Sequence, residues 1–568
     1  MREILQKTFY LTAILTLFAI SVVWAAPPDA GQLMREQQPQ RQLPGKTSQP
    51  EAEKQRAPMA DTGVSVNVKG FKFTGYEGLV QESDLQALVS GAIGKNLSFN
   101  ELQEQVTKVT LYLKDKGWFL ARAYLPKQDV TSGIIEIAII QGTSDGSVLI
   151  KRSSGARINE GFLRYIGEKA VTPGQPLSEK KLERAVLLMN DLPGINAHAS
   201  LAPGAASGST AVQINVNEGP LFSGALWGDN YGNHYTGDWR GNVMLSVNDP
   251  LSYGDQLTGM ATGAEGIIQG RVAYDFPLIP GGVKGHMSYT GMAYELKENL
   301  SELDMDGWST VLNAGLSYPI LRSRKLNLSA SLFYEYKKMI DEALDVEIRD
   351  RVLNSGILNF QGDEYDTLLG GGYTKFNAGV TLGDMDEEIA NIGITDVEGT
   401  YTHFNFGVAR LQRLLNRVAI NLSYAGQLSL DNLDSSEKFI LGGPNGVRAY
   451  PVGEAPGDEG HLFNVDLRYD LPIPTHWGML QFNGFYDAGH IRLHHDPWTN
   501  SINTATEKNR YWLQGYGAGI FYAYKQLLSI KGCWAHVIDH NPGRDTGDDN
   551  ADGRDDKYRF WVQAALYF

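Results

Sequence analysis

The C-terminal part of the chain, from about residue 221 to Phe568, consists of segments of about ten residues in which apolar and polar side chains alternate. Short turns and long polar loops separate these segments in turn. In the last segment every second side chain is apolar and shares one face of a predicted strand: Tyr558, Phe560, Val562, Ala564, Leu566 and Phe568. A closed antiparallel barrel fits this pattern, because one face of each strand then meets lipid and the other a wet lumen.

The pattern predicts sixteen strands, and single-chain bacterial outer-membrane barrels have an even number of them. The predicted strands start near residues 221, 239, 256, 267, 283, 306, 325, 351, 372, 400, 417, 461, 479, 510, 527 and 557. A soluble β-sandwich would also alternate, but it hides its apolar faces in a core and has no need of alternating loop lengths. The predicted fold class is therefore a membrane β-barrel over residues 220–568.

The first residues have the pattern of a secretory signal peptide, predicted at 1–25. Arg2 and Lys7 precede the apolar stretch 9–23, and Ala25 ends the predicted cleavage site. The apolar stretch is shorter than the ~20 residues that a membrane-spanning helix needs. We therefore expect the mature chain to leave the cytoplasm.

Composition and motifs argue against several classes of function. A net charge of -15 disfavours nucleic acid as a partner, and the single Cys533 cannot form an internal disulfide. His536 and His540 have the spacing of a helical metal site, but on the predicted strand they would lie roughly 13 Å apart. Residues 548–553 resemble the start of a calcium loop, yet Arg559 stands where a bidentate Glu is needed. We predict no metal, no cofactor and no catalytic site, and hence no enzyme.

The stretch 26–63 is rich in Pro, Gln and Glu, which predicts a linker that cannot fold alone. Within it, residues 29–38 form a candidate short helix, since Asp29 suits an N-cap and Pro39 stops the helix. So short a helix would be marginal in water without a docking surface.

One order of elements occurs twice between residues 64 and 219. The first copy is predicted as strand, helix, helix, strand, strand at 64–73, 82–90, 100–116, 118–125 and 134–140. The second copy repeats this order at 147–152, 159–169, 178–190, 197–201 and 211–218. The pattern therefore predicts two small α/β domains, at 64–142 and 143–219.

Two segments of the barrel region carry a family resemblance. Residues 441–450 read Leu-Gly-Gly-Pro-Asn-Gly-Val-Arg-Ala-Tyr, and residues 482–489 read Phe-Asn-Gly-Phe-Tyr-Asp-Ala-Gly. They resemble the sixth-loop motif and the second barrel motif of two-partner-secretion transporters, the haemolysin activation/secretion (TpsB) branch of the Omp85 superfamily. The loop residues at the motif positions are Gly442, Gly443, Val447, Arg448, Ala449 and Tyr450. By the same resemblance, the two repeated domains look like POTRA domains, and residues 29–38 look like a plug helix.

The resemblance implies that Arg448 and Asp487 lock the sixth loop inside the lumen. Alternation along the thirteenth predicted strand also directs Asp487 to the lumen, where a glycine-rich loop could bring Arg448 into a bidentate ion pair. The alternative is a solvated arginine and an unrelated carboxylate, since exposed ion pairs contribute only ~0 to 1 kcal/mol. Ala449 departs from the usual Gly of the motif, and a left-handed backbone there would cost about 1 kcal/mol.

The predicted function is that of an outer-membrane transporter. It would recognise an unfolded TpsA-like exoprotein in the periplasm and pass it to the cell surface or medium without ATP. Two alternatives stay open: an Omp85-type outer-membrane protein insertase, and a passive porin. The porin would leave residues 64–219 without a purpose.

The predicted partners are the exoprotein, the lipid bilayer and, during biogenesis, the barrel-assembly machinery, for which Phe568 would be the signal. We expect a monomer that binds no nucleic acid. An extended cargo strand is expected to add to an exposed sheet edge of the second α/β domain. The candidate contacts there are Val148, Leu149, Ile150, Lys151, Val212, Ile214 and Val216.

Overall fold

The computed structural model describes residues 27–37, 65–204, 209–388 and 397–568. The predicted signal peptide and most of the predicted linker lie outside the described residues. The chain divides into a barrel unit (Met1–Pro39, Pro220–Pro250, Asp255–Phe568) and an N-terminal unit (Gln40–Gly219, Leu251–Gly254). The first described element is helix α1 (Ala30–Glu36), which belongs to the barrel unit.

The first half of the N-terminal unit packs two helices against a three-stranded sheet. Its elements are β1 (Ser65–Asn67), β2 (Gly70–Thr74), α2 (Glu82–Val89), β3 (Asn96–Ser98), α3 (Phe99–Asp115), β4 (Arg122–Tyr124) and β5 (Ile134–Ile140). The sheet has the order β2-β5-β4, with β2 parallel to β5. Ser98 and Glu101 begin α3 with reciprocal hydrogen bonds between side chain and backbone, as a capping box should.

The second half repeats this arrangement. Its elements are β6 (Ser144–Arg152), α4 (Glu160–Glu168), α5 (Glu179–Asn190), β7 (Ile195–Pro203) and β8 (Thr210–Glu218). The sheet order is β6-β8-β7, with β6 parallel to β8. In both halves an early strand pairs in parallel with the last strand, which pairs antiparallel with the strand before it. The predicted repeat of one α/β fold is confirmed, whereas its bounds at 64–142 and 143–219 stay predictions.

The barrel unit contains the remaining strands. They are β9 (Phe222–Asp229), β10 (Arg240–Asn248), β11 (Gln256–Ala264), β12 (Ile267–Ile279), β13 (Val283–Glu295), β14 (Met305–Arg322), β15 (Leu326–Ala343), β16 (Val346–Asp366), β17 (Gly372–Glu387), β18 (Gly399–Leu415), β19 (Val418–Ser429), β20 (Phe439–Ile440), β21 (Pro456–Gly457), β22 (Glu459–Asp470), β23 (Met479–Arg492), β24 (Arg510–Tyr524), β25 (Leu528–Ile538) and β26 (Tyr558–Tyr567). The short strands β20 and β21 pair with each other, and the other sixteen close into an antiparallel barrel.

The predicted strand count is confirmed, and the predicted starts differ from the observed ones by at most five residues, at 351 against Val346. Apolar side chains such as Leu316 and Leu332 point outward and are exposed. Short turns such as 416–417 lie at one end, and the longest connections lie at the other, including the sixth loop (residues 430–458) and the eighth loop (residues 539–557). No helix within the described ranges is long and apolar enough to cross a membrane.

The barrel closes between its last and first strands. Five residue pairs join β26 to β9, from Gln563 with Asp229 to Tyr567 with Ala225. Phe568 extends this seam, since its N–H donates to the carbonyl of Gly224 and its carbonyl accepts from the Gly224 N–H. The Phe568 side chain is exposed, and its use as an assembly signal stays a prediction.

Candidate functional site: the obstructed lumen

Helix α1 lies in the lumen, where it finds the docking surface that so short a helix needs. Asp29 caps it as predicted, because its Oδ1 accepts a hydrogen bond from the Gln32 N–H at 2.9 Å. The helix spans seven residues within the predicted range. Ala30 and Leu33 are fully buried, and Met34 is nearly so. They pack among buried barrel side chains, including Tyr294, so burial supplies the stability that a short helix lacks in water.

Two arginines of β16 hold the start of α1. The fully buried Arg351 donates to Asp29 at 3.0 Å, to Asp341 of the barrel wall at 2.5 Å and to Asp434 of the sixth loop at 2.7 Å. Arg349 also donates to Asp29, at 3.0 Å. Burial opposes ionisation of Asp434, but the attraction of Arg351 and Arg349 outweighs it and lowers the pKa of that carboxyl. Charge-assisted hydrogen bonds thus join the helix, the wall and the loop.

A second set of contacts holds the end of α1. The Gln37 side chain accepts a hydrogen bond from Arg240 at 2.7 Å, and Arg240 also pairs with Asp229 of the wall at 2.9 Å. Glu36 accepts hydrogen bonds from Asn233, at 3.2 Å to each carboxylate oxygen. Burial raises the pKa of Glu36 to about 7 despite these bonds. The docked helix therefore carries a carboxyl group that titrates near neutral pH.

The sixth loop joins β19 to β22, the eleventh and twelfth barrel strands, as predicted. The first half of the loop binds two barrel strands through Glu437. This carboxylate accepts a hydrogen bond from Lys337 Nζ of β15 at 2.5 Å and contacts His403 Nε2 of β18 at 3.0 Å. Ser435 donates to Asp29, with its Oγ 2.7 and 2.9 Å from the two carboxylate oxygens. The loop therefore contacts both the barrel wall and the cap of α1.

Arg448, further along the sixth loop, meets Asp487 of β23. Its Nε donates to Oδ2 at 2.8 Å and its Nη2 to Oδ1 at 2.6 Å, while the backbone N–H donates to Oδ2 at 3.1 Å. Asp487 is fully buried, and 14% of the Arg448 side chain is exposed. This is a bidentate ion pair in a largely desolvated setting. The structure brings the two motif residues together, and their action as a lock stays a prediction.

Three further residues hold Arg448, and sequence reasoning missed their contacts. Asp466 of β22 accepts from Nη1 at 2.9 Å. The Phe485 ring centre lies 3.5 Å from the guanidinium carbon, a cation–π contact. Trp561 of β26 donates its Nε1–H to the Arg448 carbonyl oxygen at 2.7 Å. Phe485 lies two residues before Asp487 and so shares its strand face, but no pattern showed which lumen side chains the loop would reach.

The other motif residues shape the loop around this pair. Val447 and Tyr450 are buried. Gly442 packs so closely that a Cβ would lie 2.2 Å from the Pro451 carbonyl oxygen. Gly443 has a φ of +102°, a conformation that favours glycine.

Ala449 does not adopt a left-handed backbone, so the cost that such a conformation would impose on alanine does not arise. The residue is buried, and its methyl group faces Gly515 of β24. A Cβ on Gly515 would lie only 2.5 Å from the Ala449 Cβ. The departure from the family motif is therefore accommodated by a glycine on the strand that the loop meets.

The predicted cargo contacts fall on two strands of the second α/β fold. Val148, Leu149, Ile150 and Lys151 lie on β6, which is an edge strand of its sheet, and Leu149 and Lys151 are exposed. The prediction that Val212, Ile214 and Val216 also offer a docking edge is wrong. These residues lie on the central strand β8, paired on both sides, and their side chains are buried in the core. The alternation of side chains predicted strand β8 but did not indicate whether β8 lies at the edge or in the centre of the sheet.

The acidic eighth loop is organised by ion pairs. Arg559, which stands at the position where a calcium loop needs Glu, donates to both carboxylate oxygens of Asp552 at 2.6 and 3.0 Å. Among the described residues, no group of three or more His, Cys, Asp or Glu side chains is placed to hold a metal ion.

A closed barrel whose lumen is occupied by a helix and a folded-back loop, in a chain that also carries two repeated sheet domains, has the architecture of an Omp85-type outer-membrane transporter. The family profile described as haemolysin secretion/activation protein ShlB/FhaC/HecB matches residues 208–521, and the ShlB-type POTRA profile matches residues 66–142. The chain belongs to this family.

Individual relatives agree with this assignment. The heme/hemopexin transporter protein HuxB from Haemophilus influenzae (strain 86-028NP) is 26% identical over 563 residues, covering 96% of each chain. CdiB from Escherichia coli has a similar structure, with a TM-score of 0.69 at 17% identity over 90% of this chain and 93% of that one. CdiB from Acinetobacter baumannii gives 0.62 at 18% identity, over 93% of this chain and 95% of that one. The protein is thus a two-partner-secretion transporter of the outer membrane, with periplasmic POTRA domains, that exports an exoprotein.

Proposed function

We propose that α1, docked against the folded-back sixth loop, closes this transporter at rest, and that export requires the helix to leave. The observation that carries this proposal is that the cations holding α1 each have a second carboxylate partner. Arg351 also binds Asp341 and Asp434, Arg349 also binds Glu387, and Arg240 also binds Asp229. Departure of the helix therefore leaves no buried guanidinium unpaired, which would otherwise cost about 3 to 5 kcal/mol. Such shared contacts suit a plug that leaves and returns.

We further propose that the Arg448–Asp487 pair locks the loop in its working position. Asp487 is fixed on a barrel strand, whereas Arg448 lies on a long connection. A charge-assisted contact of this kind can bias the loop between two positions while the barrel's own hydrogen bonds keep it folded.

Recognition of the cargo is assigned to β6. This strand pairs with β8 on one side only within its sheet, and Leu149 and Lys151 project from it. An extended cargo segment adding to β6 would gain main-chain hydrogen bonds, with the exposed side chains supplying selectivity. The transport itself requires no ATP and no chemical step by the barrel, so folding or capture of the cargo outside the cell gives it direction.

The proposed partners complete this mechanism. A monomer lies in the lipid bilayer through the outward apolar side chains of its strands, and the barrel-assembly machinery reads the terminal Phe568 during insertion. The exoprotein is the only macromolecular ligand required for transport, and no cofactor takes part.

The assignment to β6 is tested by cargo release into the medium. Leu149→Asp should lower export because it places a charge at the proposed strand-addition edge. Leu201→Asp is the matched control, since Leu201 is similarly exposed on β7, the other edge strand of the same sheet. Equal export by the two variants would contradict the choice of β6.

Deletion of residues 64–219 separates recognition from barrel formation. The deleted protein should still give a heat-modifiable barrel on gels, because the sixteen strands all lie outside the deletion, but it should release no cargo. Export at the full-length rate would contradict the role given to this region.

A further inference from the structure

The outer wall of the barrel carries a basic and aromatic patch where β22, β23 and β24 end at the long loops. The register places Glu459, Arg492 and Arg510 side by side in one row across the three strands. Two residues further along the strands, away from the long loops, His461, His490 and Trp512 form a second row on the outer wall. Neighbouring strands lie about 4.8 Å apart and the rows about 7 Å, so the patch is roughly as large as a phosphorylated sugar.

The second row is a connected ladder of rings. The Tyr424 hydroxyl lies 3.0 Å from Nδ1 of His461. The ring centres of His461 and His490 are 6.3 Å apart, and those of His490 and Trp512 are 5.2 Å apart. Half of Trp512 is exposed. Aromatic side chains at this height form the girdle that meets the headgroup region of the membrane.

The first row has an excess of positive charge. Glu459 pairs with Arg492, which leaves one carboxylate for two guanidinium groups facing each other across the strands. Arg510 and the nearby Lys508 are exposed, and within the described ranges neither has an ion-pair partner. Like charges placed opposite each other on a sheet destabilise it, and a bound anion relieves this repulsion.

Another part of the same rim has the opposite charge balance, although Lys297 pairs with Glu295 and Lys338 with Asp350 there. On β13 to β16 the outward positions at the same end are acidic instead: Glu295, Asp306, Glu342 and Glu347. If the barrel were only attracted to an anionic membrane surface, its basic side chains could lie anywhere around the rim. A bound headgroup instead requires basic side chains close together at one place.

We propose that this patch binds the phosphorylated headgroup of a glycolipid of the outer leaflet. The end with long loops is the extracellular end of an outer-membrane barrel, so the patch lies at the level of that leaflet. Arg510 and Lys508 bind a phosphate, the imidazoles donate hydrogen bonds to it or to the sugar, and Trp512 packs beneath the sugar ring. This inference goes beyond the transport function and does not depend on α1 or the sixth loop.

The test is a titration of the full chain in detergent with diphosphoryl lipid A, with bound lipid counted by native mass spectrometry. The double variant Lys508→Ala/Arg510→Ala should bind lipid A about 30-fold more weakly, from the usual contribution of two basic residues near anionic lipid. The matched control is Lys325→Ala/Arg417→Ala, which removes two exposed charges from short turns at the opposite end. It should bind as the wild type does.

Two further arms identify the ligand. Lipid A stripped of both phosphates should bind the wild type as weakly as diphosphoryl lipid A binds the double variant, and millimolar inorganic phosphate should not displace diphosphoryl lipid A. Equal weakening in both double variants, or no weakening in either, would overturn the proposal. Displacement by inorganic phosphate alone would also overturn it, because the patch would then be a simple anion site.

Discussion

Replacing Arg448 by Ala should abolish most export while leaving the amount of folded barrel nearly unchanged. The variant leaves Asp487 fully buried, with only Asn464 and the backbone N–H of residue 448 to hydrogen-bond to it. Truncating one partner of a buried pair costs about 3 to 5 kcal/mol, and the partial exposure of the arginine favours the lower end of that range. About 3 kcal/mol changes the population of a loop position by about two orders of magnitude. The barrel keeps its strand ladders, so it should fold.

Asp487→Ala should lower export less than Arg448→Ala does. The guanidinium keeps Asp466, which accepts from Nη1 at 2.9 Å, and the ring of Phe485. The double variant should be little worse than Arg448→Ala alone, because residues that act through one contact are not additive.

The assay compares cargo in the medium with heat-modifiable barrel in the membrane for each variant. Arg410→Ala is the matched control, since Arg410 forms a two-pronged pair with Asp366, at 2.6 and 3.0 Å, close to a short turn and far from the sixth loop. It should export normally. Fully additive losses from the two single variants, or wild-type export by both, would refute the lock.

Three further predictions concern the lumen. Deleting residues 27–37 should raise single-channel conductance in planar bilayers because α1 occupies the lumen, and unchanged conductance would show that it does not obstruct the pore. Burial raises the pKa of Glu36 to about 7, so the docked helix binds a proton more tightly than the released one and docking weakens as the pH rises through about 7. Conductance should therefore be higher at about pH 8 than at about pH 6, and Glu36→Gln should remove the difference; a pH dependence retained by that variant would argue against this group. Gly515→Ala should lower export, since the new Cβ would lie 2.5 Å from that of Ala449, and adding Ala449→Gly should restore it. If Ala449→Gly does not restore export, the clash between these two side chains is not the cause of the loss.

Much of the barrel could be predicted from local patterns. A strand that meets lipid on one face must alternate with period two, so strand number and approximate bounds follow from the sequence itself. The largest error, at β16, arose because the strand continues past the lipid-facing residues into a hairpin, where Val346 to Asp350 no longer need to alternate for lipid.

In the second α/β fold, local patterns predict the strands but not their order in the sheet. Val212, Ile214 and Val216 have the spacing of one strand face, which β6 also shows at Val148 and Ile150. Whether such a strand lies at the edge or the centre depends on which partners it pairs with. The central strand β8 pairs with β6, which lies about sixty residues earlier in the chain, and no single segment encodes such a pairing.

Local patterns in the chain therefore predict the set of elements and the direction in which their side chains face. They indicate a barrel, a repeated α/β fold, a capped helix at Asp29, and a loop arginine with a lumen carboxylate that a family motif pairs. No local pattern predicts that Arg351 binds Asp29, Asp341 and Asp434 through one guanidinium, because this cluster forms only in the folded barrel. Those carboxylates come from a helix, a strand and a loop far apart in the chain. Alternation shows that a side chain enters the lumen, but only the closure of the barrel and the folding back of the sixth loop bring these charges within hydrogen-bonding distance.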